Sequence, residues 1–443
     1  MTYVLSGGAV LDGRGGRIPH GTVVLRDGRI AAVGSSGQVP EPTTGERIDT
    51  SGRTVLPGLF DAHVHVFAHA GEHAYNPRTW PITTFVEEQL LHAAANARLA
   101  LECGITTLRD MAGGRPEVAL RHALDDGVLA GPRLVTSGFI GMTGGHGDLF
   151  FPPSLDRRPF PVADGPDACR AAVRAHVRDG VDLIKICTSG GVLSLGDAVA
   201  WRNYTDAEVA AVVDEAHALG RRVAVHAHSR AGIAQALAAG VDTIEHGTEL
   251  DDELAAGMAA AGCHLCPTLT ITSYLVAEGA ARGIEAEALE KARAAHARHR
   301  EAMLAARRAG VKMFAGTDSC NAMPFGRHTQ ELALLVSEVG LTPMEAIVAA
   351  TSTAAAACGL AGKTGELRAG LLADVVVVDG DPLADIGILQ DRDRIVGVFR
   401  DGRLLVDRGV RVPAAGSRRG EGARRGAGSR RGRAPAGGGL PQG

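Results

Sequence analysis

Short apolar runs that carry or end on an ionisable side chain recur along this chain, and no other feature restricts its fold as tightly. They are Leu59-Phe-Asp-Ala-His-Val-His-Val66, Asp182-Leu-Ile-Lys-Ile-Cys187, Val223-Ala-Val-His-Ala-His228, Thr243-Ile-Glu-His-Gly247 and Met313-Phe-Ala-Gly-Thr-Asp318. Runs of this length and composition form strands of a parallel sheet covered on both faces. A buried strand does not hold an imidazole, amine or carboxylate unless something compensates the lost hydration. His63, His65, Lys185, His226, His246 and Asp318 therefore have to converge on a partner, and their chemistry points to a pair of metal ions.

The middle of the chain alternates such runs with Ala-rich stretches of helical period. Candidate strands cover 57–63, 105–111, 133–138, 182–188, 222–228, 243–247, 264–269 and 312–317. Helices are expected over Asp206–Leu219 and Glu285–Ala309, the first opened by a capping box in Thr205-Asp-Ala-Glu208. Eight strand–helix units over some 300 residues predict an α/β fold, a (β/α)8 barrel of the TIM type, with its site at the C-terminal strand ends. A doubly wound open sheet is the alternative topology.

The two ends have a different texture. Tyr3–Leu5, Ala9–Leu11, Thr22–Leu25 and Arg29–Val33 are broken by Asp12-Gly13 and Asp27-Gly28, and Ala373–Val378, Ile395–Phe399 and Arg403–Val406 by Asp379-Gly380 and Asp401-Gly402. Such dipeptides favour hairpin turns. The division expected is residues 1–56 plus 366–412 as one small β-sandwich, 57–365 as the barrel, and 413–443 as a tail. The tail repeats Ser417-Arg-Arg-Gly-Glu-Gly422 in degenerate form and is expected to be disordered.

Composition narrows the function. The net charge of -4 includes seven Arg and one Glu from Pro413 onward, so the rest of the chain carries about -10 (-4 minus +6) and gives no reason to expect nucleic-acid binding. No apolar stretch is long enough to span a bilayer and the start lacks signal-peptide character, so a cytoplasmic protein without a membrane partner is expected. Seven scattered cysteines are expected to stay reduced. Cys263 and Cys266 form an isolated C-x-x-C that reads as strand packing rather than a zinc site.

His63 and His65 are two apart, so both imidazoles leave the same face of a strand and can chelate one divalent ion. Burial of Lys185 favours its neutral amine, which can add carbon dioxide to become a bridging carbamate; the bland alternative is a lysine snorkelling to solvent. His226 and His246 would serve the second ion. His228 shares the inward face with His226 and is placed further out, toward substrate. Asp318 would touch the first ion and accept a proton. Two ions about 3.5–4 Å apart would acidify a bridging water; Asp318 would carry its proton to a leaving amine, and His228 would stabilise the oxyanion. Zinc is the default ion for such donors, with manganese or iron as alternatives.

Together these segments resemble the amidohydrolase superfamily, and its binuclear subgroup with a carboxylated lysine. The marks are Pro57-Gly-Leu-Phe-Asp-Ala-His-Val-His65, Ile184-Lys-Ile-Cys187, His226-Ala-His228, Ile244-Glu-His-Gly247, Gly316-Thr-Asp318 and Gly370-Leu-Leu-Ala-Asp-Val-Val-Val377. The resemblance spans roughly residues 1–412. Gly144-Gly-His-Gly147 and Lys185-Ile-Cys-Thr-Ser-Gly-Gly-Val192 are similar to the Xaa-Pro dipeptidase and arginine/lysine carboxypeptidase group, relatives of ochratoxin-type amidases. That resemblance implies that His146 contacts substrate. The chain departs from those dipeptidases at His228, where they carry a tyrosine.

The reading is metal-dependent hydrolysis of an amide next to a free carboxylate, in a dipeptide, an Xaa-Pro-like peptide or an N-acyl amino acid. Arg230 is a candidate partner for that carboxylate, against a helix-start surface arginine; Arg327 is a weaker one. An imidazolonepropionase-like cyclic-amide hydrolase or a deaminase is the alternative enzyme. A non-catalytic scaffold of this fold is the alternative of another class. Self-association into a homo-oligomer is left open.

Overall fold

Four consecutive valines, Val375–Val378, show how the architecture holds together. All four are buried, and because successive strand residues face opposite ways, they serve two cores. Val375 and Val377 pack with Tyr3, Leu25, Ile48 and Phe399, while Val376 and Val378 pack with Leu56, Leu101 and Ile395 on the barrel side. The structure, a computed structural model, describes residues 1–40, 42–71, 79–155 and 158–411. The Arg-rich tail and the disorder expected of it lie outside the described residues.

Two sheets form the terminal layer. A four-stranded sheet runs in the order Arg29–Ser35, Gly21–Arg26, Thr2–Ser6, Glu46–Asp49. A six-stranded sheet runs Arg403–Asp407, Ile395–Arg400, Val375–Asp379, Arg53–Pro57, Ala9–Leu11, Arg17–Ile18, so both ends of the chain build it. Two of the four turn dipeptides close two-residue hairpins: Asp27 and Gly28 take φ of 50° and 79°, Asp401 and Gly402 49° and 71°; Asp12-Gly13 starts a longer loop, and Asp379-Gly380 opens the long connection from Val375–Asp379 to Ile395–Arg400. Tyr3 meets Phe399 edge to face at 5.1 Å between the sheets.

Gly58 carries the chain from this layer into the barrel. A Cβ there would lie 2.0 Å from Thr106 Oγ1, so only glycine allows the passage. Seven parallel strands follow in sequential neighbour order: Leu59–Val64, Ile105–Asp110, Arg133–Phe139, Leu183–Cys187, Arg222–Ala227, Thr243–His246 and His264–Cys266. Helices lie between most of them. Asp206–Ala218 starts on the Thr205–Glu208 capping box, and Ala286–Ala309 matches the second helix expected.

The barrel closes differently from the expectation. The segment around 312–317 is no regular strand but is bound on both sides: Phe314 N donates to Leu265 O (2.9 Å), Ala62 N to Ala315 O (3.0 Å) and Asp318 N to His63 O (2.7 Å). The Thr317 amide and hydroxyl go instead to the Asp61 carboxylate, at 3.0 and 2.6 Å, which removes them from a ladder. The strand expected over 264–269 stops at Cys266, because Pro267 has no amide proton and Thr268 turns left-handed (φ 53°) before the helix Leu269–Glu278. Among the described residues no helix is long and apolar enough to cross a membrane.

Candidate metal centre

The strand ends bring the predicted polar residues to one place. Asp61 and His63 on the first barrel strand, and His65 just past its end, follow the two-residue period of one strand face. His65 Nε2 lies 2.9 Å from Asp318 Oδ1, and His63 Nε2 3.6 Å from the same oxygen. Asp318 holds a left-handed φ of 60°, and His246, ending the sixth strand, one of 72°. His246 is 5.2 Å from His63, 4.6 Å from His226 and 4.5 Å from His228, ring centre to ring centre.

Among the described residues four sets of donors could hold an ion; His146, Cys187 and His226 form one, and His63, Glu245 and Cys266 another. Ligand atoms of His63, His246 and Asp318 lie within 4.8 Å of one another, as do those of His226, His228 and His246. Nitrogen and carboxylate donors of this kind suit a divalent transition ion. The remaining ring nitrogens are taken by hydroxyls: His246 Nδ1 is 2.7 Å from Thr268 Oγ1, and His228 Nδ1 2.8 Å from Thr248 Oγ1. His226 Nε2 is 3.2 Å from the Gly190 carbonyl.

Lys185 sits among them, 3% exposed, with no hydrogen-bond partner for Nζ among the described residues. An ammonium is not left bare in this way; a group that adds two oxygens and meets cations would satisfy it. Burial drives the Lys185 amine down from its ordinary range. Burial also lowers His63, His226 and His246, which favours the unprotonated form that a metal ligand needs. For Asp318 burial works the other way, but His63 and His65 overcome it and hold the carboxyl below its usual value.

The site has a base that sequence reasoning passed over. Arg109, on the second strand, reaches across the barrel to Glu245, its Nη2 2.9 and 2.8 Å from the two carboxylate oxygens. Glu245 Oε2 in turn is 2.9 Å from His63 Nδ1, which fixes the direction of that ring. Asp61 binds His328 Nδ1 at 2.7 Å as well as Thr317. A charged residue inside Ile105-Thr-Thr-Leu-Arg-Asp110 was the available signal for Arg109.

His146 is brought to the cluster, its ring stacked on His226 at 4.3 Å. Arg230 is not. Its guanidinium is exposed and held by Asp251 (2.6 Å) and Glu253 (2.5 Å), the surface-arginine alternative. Arg327 pairs with Glu278 at 3.1 Å and lies over the Tyr274 ring. Cys263 and Cys266 are buried free thiols, as are most of the seven.

Comparison with known proteins adds three findings. The model of the Amidohydrolase family matches residues 54–405. Ochratoxinase from Aspergillus niger is 32% identical over 426 residues, covering 92% of this chain and 87% of that protein. Two solved structures, a prolidase complexed with N-methylphosphonate-L-proline and a Xaa-Pro dipeptidase with bound methionine in the active site, each superpose with a TM-score of 0.83 at 33% identity, over 91% of this chain and 99% of theirs.

Proposed function

This chain belongs to the amidohydrolase family and is a hydrolase acting on C–N bonds, and from that premise we propose that it cleaves an amide next to a free carboxylate at a centre of two divalent ions. The substrate is a dipeptide, Xaa-Pro among them, or an N-acyl amino acid. The prolidase and Xaa-Pro dipeptidase relatives support that class. The observation that carries the reading is the bare, buried Nζ of Lys185.

As a neutral amine, Lys185 could add carbon dioxide and release one proton to solvent, which would turn it into an anionic carbamate able to serve as a metal ligand. His63, His65 and Asp318 would hold one ion, and His226 and His246 the other. Zinc is the ion assigned, on the mixed nitrogen and oxygen donors. When bound, the ions supply Lewis acidity for the carbonyl and for water.

The side chains do the rest. Asp318 takes a proton from the attacking water and returns it to the leaving nitrogen, which general acid–base catalysis requires of one mobile carboxylate. His228, braced by Thr248 at 2.8 Å, donates to the oxygen of the tetrahedral adduct. His146 contacts the substrate. Arg230 has no part in this reading, because two carboxylates already hold it. Free thiols at all seven cysteines accord with a cytoplasmic location.

The test is to screen Xaa-Pro, Xaa-Arg and N-acyl amino acid libraries for amine release while metal content is measured on the same preparation. Hydrolysis that tracks two ions per chain is the expected result. Full turnover by protein stripped of metal, or no turnover across all three libraries, would overturn the reading.

A further inference from the structure

His146 is gripped by a network that the hydrolytic reading does not use. Its Nδ1 is 2.8 Å from the Ser194 hydroxyl, and that hydroxyl donates to Asp197 Oδ2 at 2.7 Å. Asp197 Oδ2 also accepts the Gly191 amide (3.1 Å), and Oδ1 accepts Lys291 Nζ (2.8 Å). Lys291 donates further to the carbonyls of Ser194 and Asp197, at 2.6 and 3.2 Å. Ser194 and Asp197 are buried. His146 follows the third barrel strand, Ser194 and Asp197 follow the fourth, and Lys291 comes from the helix Ala286–Ala309. Gly191 keeps the slot open, since a Cβ there would sit 1.9 Å from the His146 ring.

The direction of each bond follows from the groups. An ammonium only donates, and the carboxylate facing it only accepts. The one proton of Ser194 is committed to Asp197, so toward His146 the hydroxyl accepts. Nδ1 of His146 therefore carries the hydrogen, and in the neutral ring Nε2 is a bare acceptor. We propose that Ser194, Asp197 and Lys291 are positioning residues that fix His146 as its Nδ1–H tautomer, so that the site selects substrates presenting an N–H donor to Nε2. This rests on the reading of His146 as a substrate contact. The donor is the α-amine of a dipeptide or the scissile amide N–H of an N-acyl amino acid. A substrate oxygen without hydrogen would oppose lone pair to lone pair.

Matched substrates separate the sources: a dipeptide against its analogue lacking the α-amine, and a secondary amide against its N-methyl form. The wild type is expected to prefer the N–H-bearing member of one pair by about tenfold in kcat/KM, the size of one hydrogen bond. That ratio should fall to about unity in His146→Phe, Ser194→Ala and Lys291→Met, and return in Lys291→Arg. A ratio is internally controlled, so partial unfolding does not move it. If His146→Phe changes neither member of either pair, the substrate contact itself is wrong. If His146→Phe abolishes the preference but Ser194→Ala and Lys291→Met keep it, the network proposal alone falls. Long-range 1H–15N correlation on the metal-loaded enzyme reads the tautomer without any substrate; an unprotonated Nδ1 on His146 would overturn the proposal outright.

Discussion

Two basic side chains are buried in the barrel wall, and their surroundings are opposite. Around Arg109 every nitrogen has an acceptor: Nε on Ala62 O at 2.6 Å, Nη1 on Thr243 Oγ1 at 3.2 Å, and Nη2 on both Glu245 oxygens. Around the Lys185 Nζ, among the described residues, there is none. A guanidinium cannot shed its proton, so burial obliges the fold to pair it; an amine can, so isolation selects its neutral and reactive form. For Arg109, burial works against the charge and Glu245 more than offsets it. On the reading proposed above, one stretch of wall is built to stand and the other to react.

The largest test of that contrast is Lys185→Met. Turnover should fall by at least ~10^3-fold, as expected when charge stabilisation worth several kcal/mol is lost, while the metal-free protein melts no lower than wild type. Amine release and calorimetry read the two halves; a variant that keeps its rate would remove the carbamate from the account. Arg109→Met should do the reverse to the fold. It leaves Glu245 buried with its main partner gone, which typically costs about 3–5 kcal/mol, seen in denaturant titration. Equal stability would mean that the pairing contributes nothing and the contrast is empty.

The next test sharpens the ligand assignment between two stacked rings, His228 and His246. Each leans on a threonine hydroxyl through Nδ1. Thr268→Val, behind His246, should weaken metal binding by about 10–100-fold, the usual effect of losing a ligand's outer partner. Thr248→Val, behind His228, should leave metal affinity alone and lower kcat, by up to ~10^2-fold if the oxyanion donor is weakened. Competition with a chelator and steady-state kinetics separate the two. Equal loss of metal in both variants would make His228 a ligand.

What the sequence could and could not carry follows the same division. A polar residue inside an apolar strand is a local signal, and it makes Lys185 and the paired histidines legible with no knowledge of the fold. Arg109 carries that signal too, yet its meaning depends on Glu245, 136 residues away, and nothing within either strand points across the barrel. Strand order was legible because each apolar run is bounded by turn and helix signals. The closing stave was not: Met313–Asp318 has a strand's composition, but Asp61 captures the Thr317 amide that a ladder would need. Ser194, Asp197 and Lys291 lie on a loop and a helix flank, where serine, aspartate and lysine are ordinary surface residues until the fold brings them together.

The smallest effect comes from a group that shares features of both basic residues. His299 is buried like Lys185, yet its Nε2 is paired, 2.9 Å from the His246 carbonyl. Burial pushes its imidazole down to about 4, with the His246 carbonyl opposing. Between pH 6.5, its unfolded value, and about 4 the unfolded chain binds a proton that the folded chain refuses. Stability therefore rises with pH through this window and is lost as pH falls. Glu117 and Glu331, raised by burial to about 8 and about 7, push the other way, so the wild-type curve alone decides nothing. The difference between wild type and His299→Phe does. Measured by denaturant titration on metal-free protein, the slope of stability against pH should be more positive in the wild type by up to about 1.4 kcal/mol per pH unit within that window. Parallel curves would mean that His299 is protonated in the folded state within this window, and a cation beside the His246 carbonyl would then have to be added to the electrostatics of the candidate metal centre.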